Sequence, residues 1–188
     1  KFNFAISLFS FFLPSLFIIV YMQHNTLVLV DMKPLLYGIF GGLTFKNDCP
    51  TGKDMMEHIE ETNGIKFTDI FLNAINEIYA TYLSYSHIVV FCMDARKDGI
   101  YWRNKILLEY KLNRDTTSHL QLVIIHFITE LPKLNFKYLQ LPGCEADDII
   151  ASIAINYQNQ FSKIIIHSKD KDFNQLVAGN VTCTSCPI

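Results

Sequence analysis

Four apolar stretches of the chain have the composition of buried β-strands, and each one leads directly into carboxylic acids. The stretches are TLVLV before Asp31, IVVFCM before Asp94, KYLQLPGC before Glu145, and KIIIHSK before Asp170. In an open α/β sheet the carboxyl ends of parallel strands face one crevice, so these acids are expected to converge there. The sequence therefore predicts a cluster of carboxylates at one edge of a parallel sheet.

Clustered carboxylates call for cations. Oxygen ligands without thiolate or imidazole suit a hard divalent ion such as Mg²⁺ or Mn²⁺ better than Zn²⁺. In the motif GCEADD, Glu145 and Asp148 are three residues apart and share a helix face, whereas Asp147 projects elsewhere. Two ions about 3.5–4 Å apart would stabilise both the attacking and the leaving oxygen of a phosphoryl displacement. The pattern indicates a metal-dependent enzyme that acts on phosphate esters.

Each acidic motif also has a plainer explanation. Acids in the first turn of a helix complement its dipole, so those of GCEADD could be solvated helix-terminal residues. The two acids of SKDKDF could form a polar turn beside their lysines. Asp31 and Asp94 follow unbroken apolar runs, so each should be partly buried and should be paired with a charge, hydrogen-bonded or metal-bound, and a single arginine would also satisfy either one. The plainer explanations do not account for acid at every strand end.

The fold is predicted from alternating patterns. With 188 residues, half of them hydrophobic, the chain suits one globular domain. From Met22 onward, apolar runs alternate with amphipathic stretches, as in βα units around a parallel sheet. Strands are predicted near 26–31, 87–93, 136–140, 163–167 and 179–183, and helices over 65–82, 121–131, 146–157 and, as one short turn, 172–177. We therefore predict a three-layer α/β domain over residues 22–188 with a mainly parallel central sheet.

Residues 1–21 are interpreted separately. Residues 4–20 are uncharged and apolar, close to the roughly 20 residues that span a bilayer, so one interpretation is a signal or anchor helix. The other, favoured by Pro14 and by the lack of a small-residue cleavage site, is upstream sequence before a cytosolic start at Met22. The five cysteines, an odd number, favour reduced thiols and a cytoplasmic setting.

The stretch from Asp94 to Arg114 is basic and aromatic. It holds six of the sixteen Lys and Arg residues, together with Tyr101, Trp102 and Tyr110. A net charge of −2 gives no global attraction to nucleic acid, so binding would depend on this local patch. Its cations suit a phosphate backbone, and its aromatic rings can stack on unpaired bases. An ordinary solvated helix face is the alternative, and packing is the favoured role of Trp102.

Three motifs carry a resemblance to a known family. In order, DARKDGIYWRNKILLEYKLNR, LPGCEADDIIASIA and IIIHSKDKDFNQL resemble signatures of the flap endonuclease family of 5′-3′ exonucleases, whose catalytic domain is PIN-like. The likeness is nearest to phage-type RNase H and covers about residues 26 to 183. It implies a site for two Mg²⁺ ions, with Mn²⁺ as a substitute, held by seven acids: Asp31, Asp94, Glu145, Asp147, Asp148, Asp170 and Asp172.

The resemblance also implies roles for the basic stretch. Lys111 and Arg114 would be catalytic cations of a helical arch at the scissile phosphate, acting with Asp94 and Asp170 of the metal site. Tyr110 would stack on a base near the break. The remaining candidates for substrate contact are Arg96 and Arg103.

The activity implied is a metal-dependent 5′ nuclease that cleaves phosphodiester bonds near the 5′ end of DNA or of RNA–DNA hybrids, as in primer removal and flap processing. The implied partners are DNA with 5′ ends or flaps and RNA–DNA hybrids, with a single-strand-binding protein as a further candidate. A monomer without a stable membrane partner is expected. Family members continue into a further metal-binding aspartate and a helix-hairpin-helix region, both absent from this sequence, so we expect a fragment or a reduced protein.

Three alternatives stay open at this point. A haloacid-dehalogenase-like phosphatase would also place an aspartate after strand one, but it needs a second aspartate where the chain has Lys33. An inactive nucleic-acid-binding scaffold would need no metal-dependent cleavage. A PIN-type ribonuclease shares the acidic sheet edge without requiring the YKxxR pattern, and would prefer single-stranded RNA.

Overall fold

The computed structural model describes residues 26–46, 57, 60–61, 64, 66–84, 88–95, 102–107 and 136–185. Within these ranges the strands are β1 (Thr26–Asp31), β2 (Ile88–Met93), β3 (Tyr138–Gln140), β4 (Lys163–His167) and β5 (Val181–Thr184). The α-helices are α1 (Met32–Lys46), α2 (Phe67–Ser84) and α3 (Ala146–Asn156). Short 3₁₀ helices cover Trp102–Lys105, Gln158–Gln160 and Lys171–Leu176.

The strands form one five-stranded sheet in the order β3-β2-β1-β4-β5. Every neighbouring pair is parallel. The chain builds outward from β1 through β2 to β3, and then returns to the other side of β1 with β4 and β5. The direction of winding therefore reverses between β1 and β4, which is where ligands bind in open α/β sheets.

Helices cover both faces of the sheet. On one face, apolar residues of β1 and β4 pack against Ile149, Ile150 and Ile153 of α3. On the other face, Val28 and Val30 of β1 join a cluster that includes Leu36 of α1 and residues of α2. The strands are buried on both sides, which explains their continuous apolar runs. The prediction of a three-layer α/β domain with a central parallel sheet is confirmed.

The predicted elements agree with the structure to within about two residues at most boundaries. The helices predicted over 65–82 and 146–157 correspond to α2 and α3, and the short turn at 172–177 is a 3₁₀ helix. The predicted helix over 121–131, most of the basic stretch and residues 1–25 lie outside the described residues. No helix that the structure describes is long and apolar enough to cross a membrane.

Helix α1 was not predicted from the sequence. Pro34 and three glycines argue against a helix in MKPLLYGIFGGLTFK. Pro34 is tolerated because it lies in the first turn, where backbone N–H groups have no partner within the helix. Met32 and Leu36 are fully buried against the sheet. Tertiary packing therefore outweighs the weak helix propensity of the segment.

A buried polar pair joins α2 to the end of β4. The hydroxyl of Tyr82 lies 2.7 Å from Nδ1 of His167, and the two rings meet edge to face. Burial, and then the positive charge of Lys169, lower the pKa of His167, so the imidazole is neutral near pH 7. The pair thereby fixes the strand end from which Ser168 and Asp170 follow.

We predict that Tyr82→Phe lowers the free energy of unfolding by about 1–2 kcal/mol, because His167 loses a buried hydrogen-bond partner while the ring packing remains. Urea denaturation at pH 7.5 measures this. Tyr79→Phe is the matched control, since Tyr79 lies on the same helix and packs through its ring on Phe91 and Phe136. Equal losses in the two variants would contradict a specific role for the Tyr82–His167 pair.

Candidate metal centre

Asp31 lies at the last position of β1, beside the reversal in strand order. It is buried, with 6% of its surface exposed. The hydroxyl of Ser168, just past β4, donates to Oδ2 of Asp31 at 3.1 Å. The same Ser168 oxygen accepts the backbone N–H of Asp170 at 3.1 Å. Ser168 thus connects the two acids that leave the central strands.

The pKa of Asp31 shows how crowded this edge is with negative charge. It is raised from 3.8 to about 7, chiefly by burial and further by the charges of Asp94, Asp147 and Asp170. The hydrogen bond from Ser168 offsets only part of this rise. Acids from β1, β2, α3 and the segment after β4 therefore act on one another across a single crevice, as the sequence predicted.

Asp94 follows β2 and is held by groups from three other segments. Its Oδ1 accepts the backbone N–H of Ala146 at 2.9 Å, at the start of α3. Its Oδ2 lies 3.2 Å from the ammonium of Lys33 in the first turn of α1. Its backbone oxygen accepts the side-chain amide of Gln140 at 2.8 Å. The carboxylate is therefore fixed at the mouth of the crevice by a helix N-terminus and a lysine.

A tight turn delivers the acids of GCEADD. Gly143 has φ of 71°, a left-handed conformation that glycine adopts without steric cost. The backbone N–H of Glu145, the N-cap of α3, donates to Oδ2 of Asp148 at 2.9 Å. Oxygens of Glu145, Asp147 and Asp148 lie within 4.8 Å of one another. Glu145 is buried and Asp147 is exposed, so the cluster extends from the core to solvent.

Arg103 lies against this cluster. Its Nη1 is 2.6 Å from Oε2 of Glu145, its Nη2 is 2.7 Å from Oδ1 of Asp148, and Asp147 is farther away at 3.8 Å. The indole of Trp102 donates to Oδ2 of Asp148 at 3.0 Å. Despite this arginine, the pKa of Asp147 is raised, first by the partial burial of its half-exposed side chain and then by the charge of Asp148. One arginine does not neutralise three acids.

Asp170 and Asp172 occupy the turn after β4. Asp170 is the N-cap of the 3₁₀ helix Lys171–Leu176, and its Oδ1 accepts the backbone N–H of Asp172 at 2.9 Å. Both residues are exposed. The local cap agrees with the plainer explanation of a polar turn. The charge of Asp170 also raises the pKa of Asp31, which shows that the turn lies close to the crevice.

The structure adds two residues to the predicted site, and it does not describe four of the residues that were predicted. Ser168 and Lys33 were not proposed as site residues, although SKDKDF contains the serine and Lys33 is two residues from Asp31. Arg103, predicted to contact substrate phosphate, pairs here with acids. The predicted residues Arg96, Tyr110, Lys111 and Arg114 lie outside the described residues.

The donor set suits a hard divalent cation. The described carboxylates offer oxygen ligands, as Mg²⁺ and Mn²⁺ prefer. Two cysteine thiols lie nearby, but burial raises the pKa of both, followed by the charge of Asp31 at Cys92 and of Asp148 at Cys144. They remain protonated at neutral pH and are poor metal ligands. The residues therefore fit an oxygen-coordinated ion.

We predict that Asp31→Asn stabilises the protein in EDTA at pH 8 by on the order of 2–4 kcal/mol. The pKa of Asp31 is higher in the folded state, at about 7 against 3.8. The contribution of Asp31 to stability should therefore be most favourable below pH 3.8 and should be lost as the pH rises through 7. Asparagine removes this loss because it cannot ionise.

Urea denaturation at pH 5 and pH 8 measures the difference, which should be larger at pH 8. Glu77→Gln, on the solvent side of α2, is the control for removing an exposed acid. A variant that is less stable than wild type at pH 8 would contradict the account of Asp31.

Comparison of the sequence with known proteins identifies a family of nucleases. The family described as 5′-3′ exonuclease, N-terminal resolvase-like domain, matches residues 26–186. A 5′-3′ exonuclease of Buchnera aphidicola subsp. Acyrthosiphon pisum is 32% identical over 164 residues, which cover 86% of this chain and 52% of the relative. A DNA polymerase I of Pseudomonas aeruginosa is 30% identical over 165 residues, which cover 86% of this chain and 16% of the relative.

Solved structures share the fold. A T5 protein co-crystallised with metal ions has a TM-score of 0.54 at 22% identity, over 84% of this chain and 54% of that one. A bacteriophage T5 flap endonuclease in complex with DNA and metal ions has a TM-score of 0.52 at 20% identity, with the same coverage. The chain spans about half the length of these proteins and of its Buchnera relative. The chain belongs to the family of 5′-3′ exonuclease N-terminal domains.

Proposed function

We propose that the chain is the metal-dependent catalytic domain of a 5′ nuclease that hydrolyses phosphodiester bonds near the 5′ end of DNA or of RNA paired with DNA. The observation that carries the proposal is the meeting of Asp31, Asp94, Asp147 and Asp170 in one crevice, where burial, followed by the charges of the other three acids, raises the pKa of Asp31 to about 7. Family membership supports the reaction class. The T5 flap endonuclease that shares the fold was solved with DNA and metal ions.

Two Mg²⁺ ions are the proposed cofactors, with Mn²⁺ as a substitute. The residues proposed to hold them are the acids of the crevice: Asp31, Asp94, Glu145, Asp147, Asp148, Asp170 and Asp172. When bound, such ions lower the pKa of water and neutralise charge at a phosphate. The zinc-bound T5 5′-exonuclease, with a TM-score of 0.51, is a protein of this fold that holds divalent ions.

The described residues prepare the crevice for this chemistry. Lys33 and the N–H of Ala146 hold the two oxygens of Asp94 in place. Ser168 fixes Asp31 relative to Asp170. Because these contacts are formed by neighbouring elements of the fold, the acids need little reorganisation when a cation arrives. A divalent ion beside Asp31 would favour its carboxylate form and lower its pKa.

The substrate side of the proposal rests on the basic stretch. Lys111 and Arg114 would neutralise charge that develops at the scissile phosphate, and Tyr110 would stack on a neighbouring base. Arg96 would contact the phosphate backbone. These roles come from the family resemblance, as do the RNA–DNA hybrid substrate and the candidate single-strand-binding partner.

We predict that the 188-residue chain releases short products from a 5′-labelled DNA flap with Mg²⁺ and releases none with EDTA. Asp170→Asn should lower the cleavage rate by at least about 100-fold and leave binding of the flap in EDTA nearly unchanged. Glu77→Gln is the control, because Glu77 is an exposed acid of α2 and is not one of the acids of the crevice.

Full cleavage by Asp170→Asn would remove this residue from the metal site. Binding without any Mg²⁺-dependent cleavage by the wild-type chain would favour the inactive scaffold instead. An RNA–DNA hybrid and a single-stranded RNA, tested beside the flap, separate the proposed nuclease from a PIN-type ribonuclease, which would prefer the single strand.

We also predict that Lys111→Ala slows single-turnover cleavage of the flap by at least about tenfold, because one cation at the phosphate is lost. Lys105→Ala removes an exposed lysine of the same basic stretch and should have little effect. Circular dichroism spectra of both variants check that the fold is retained. An unchanged rate for Lys111→Ala would exclude it from the active site.

A further inference from the structure

The acids at the start of α3 share one arginine unequally. Arg103 contacts both oxygens of Asp148 at 2.7 Å and a single oxygen of Glu145 at 2.6 Å. Its distance to Asp147 is 3.8 Å, beyond hydrogen-bonding range. The guanidinium is therefore held by two contacts to Asp148 and by one contact to Glu145. It interacts only weakly with Asp147.

Asp148 is largely occupied by protein donors. Besides the two contacts from Arg103, its Oδ2 accepts the indole N–H of Trp102 at 3.0 Å and the backbone N–H of Glu145 at 2.9 Å. A carboxylate with four donors is well satisfied, so Asp148 is held mainly by protein groups and would reach an ion only through Oδ1 or through water. Asp148 therefore acts as the anchor of the turn that carries Trp102 and Arg103.

Glu145 and Asp147 are placed differently. Glu145 is buried and reaches Arg103 through Oε2. The side chain of Asp147 is 51% exposed, and its charge raises the pKa of Asp31. A divalent ion that used these two acids would lie within a few ångströms of the guanidinium. Like charges at such a distance repel, so the ion and the arginine compete.

We propose that Arg103 is the built-in counter-cation of the acidic centre and competes with a divalent ion for Glu145 and Asp147. Asp148 retains the arginine when the ion displaces it from Glu145. The displaced guanidinium is then available to a phosphate oxygen, so loading of the ion prepares Arg103 for the substrate. This inference rests on the proposed function. It adds that Arg103 competes with the metal and that the ion binds before Arg103 contacts the substrate.

The chain carries its own reporter of this competition. Trp102 is the single tryptophan, and the guanidinium carbon of Arg103 lies 4.9 Å from the centre of its ring. Its indole also donates to Asp148. Movement of Arg103 away from Glu145 changes the charge beside the ring, and the fluorescence emission of the protein should change with it.

The test is a titration of the 188-residue chain with Mg²⁺ in the absence of nucleic acid, followed by tryptophan fluorescence and by calorimetry. Arg103→Gln should bind Mg²⁺ about five- to tenfold more tightly than wild type, because one competing charge is gone. Lys105→Gln, which removes an exposed cation of the same 3₁₀ turn, should bind within about twofold of wild type.

Weaker or unchanged Mg²⁺ affinity in Arg103→Gln would overturn the inference, as would a wild-type chain that binds no Mg²⁺. If Arg103→Gln does not fold, the wild-type chain decides alone: saturating Mg²⁺ must change the Trp102 emission, and an unchanged spectrum overturns the proposal. Failure of the proposed function is distinguishable, because a chain that shows this competition but never cleaves DNA would retain the inference and lose the nuclease assignment.

Discussion

Repulsion among carboxylates at one edge of the sheet is the constraint on which the rest of the site depends. Burial of Asp31 at the end of the central strand is the main cause of its pKa of about 7, and the charges of three other acids add to the rise. Such a cluster costs folding free energy unless cations offset it. Lys33 and Arg103 do so in part. A divalent ion, with twice the charge, is the partner that this arrangement suits.

The fold tolerates the repulsion because the surrounding structure is well packed. Apolar clusters on both faces hold the sheet, and the acids emerge from ends of elements that those clusters fix. Hydrogen bonds from Ser168 and from the N–H of Ala146 then orient individual carboxylates. Stability is therefore supplied by the core, while the crevice is kept in a state that favours cation binding. Such a division is common at functional sites.

The sequence predicts this architecture well where a local pattern determines it. Buried strands are recognisable as continuous apolar runs, and Asp31 and Asp94, which come directly after two of these runs, locate the crevice before any coordinates are known. Helix α1 was not predicted, because burial of Met32 and Leu36 outweighs the low helix propensity of its proline and glycines. The pairing of Arg103 with Asp148 was not predicted either, since it joins residues 45 positions apart in the sequence. Contacts of that kind depend on the three-dimensional arrangement rather than on any periodicity.

The most direct test of the central claim is a crystal of the chain grown with Mn²⁺ and examined by anomalous scattering at the manganese edge. The account predicts anomalous peaks in the crevice between β1 and α3, coordinated by oxygens that include those of Asp31 or Asp147. Peaks found only elsewhere on the surface, or none at millimolar Mn²⁺, would contradict the claim that this acidic edge is a divalent-cation site.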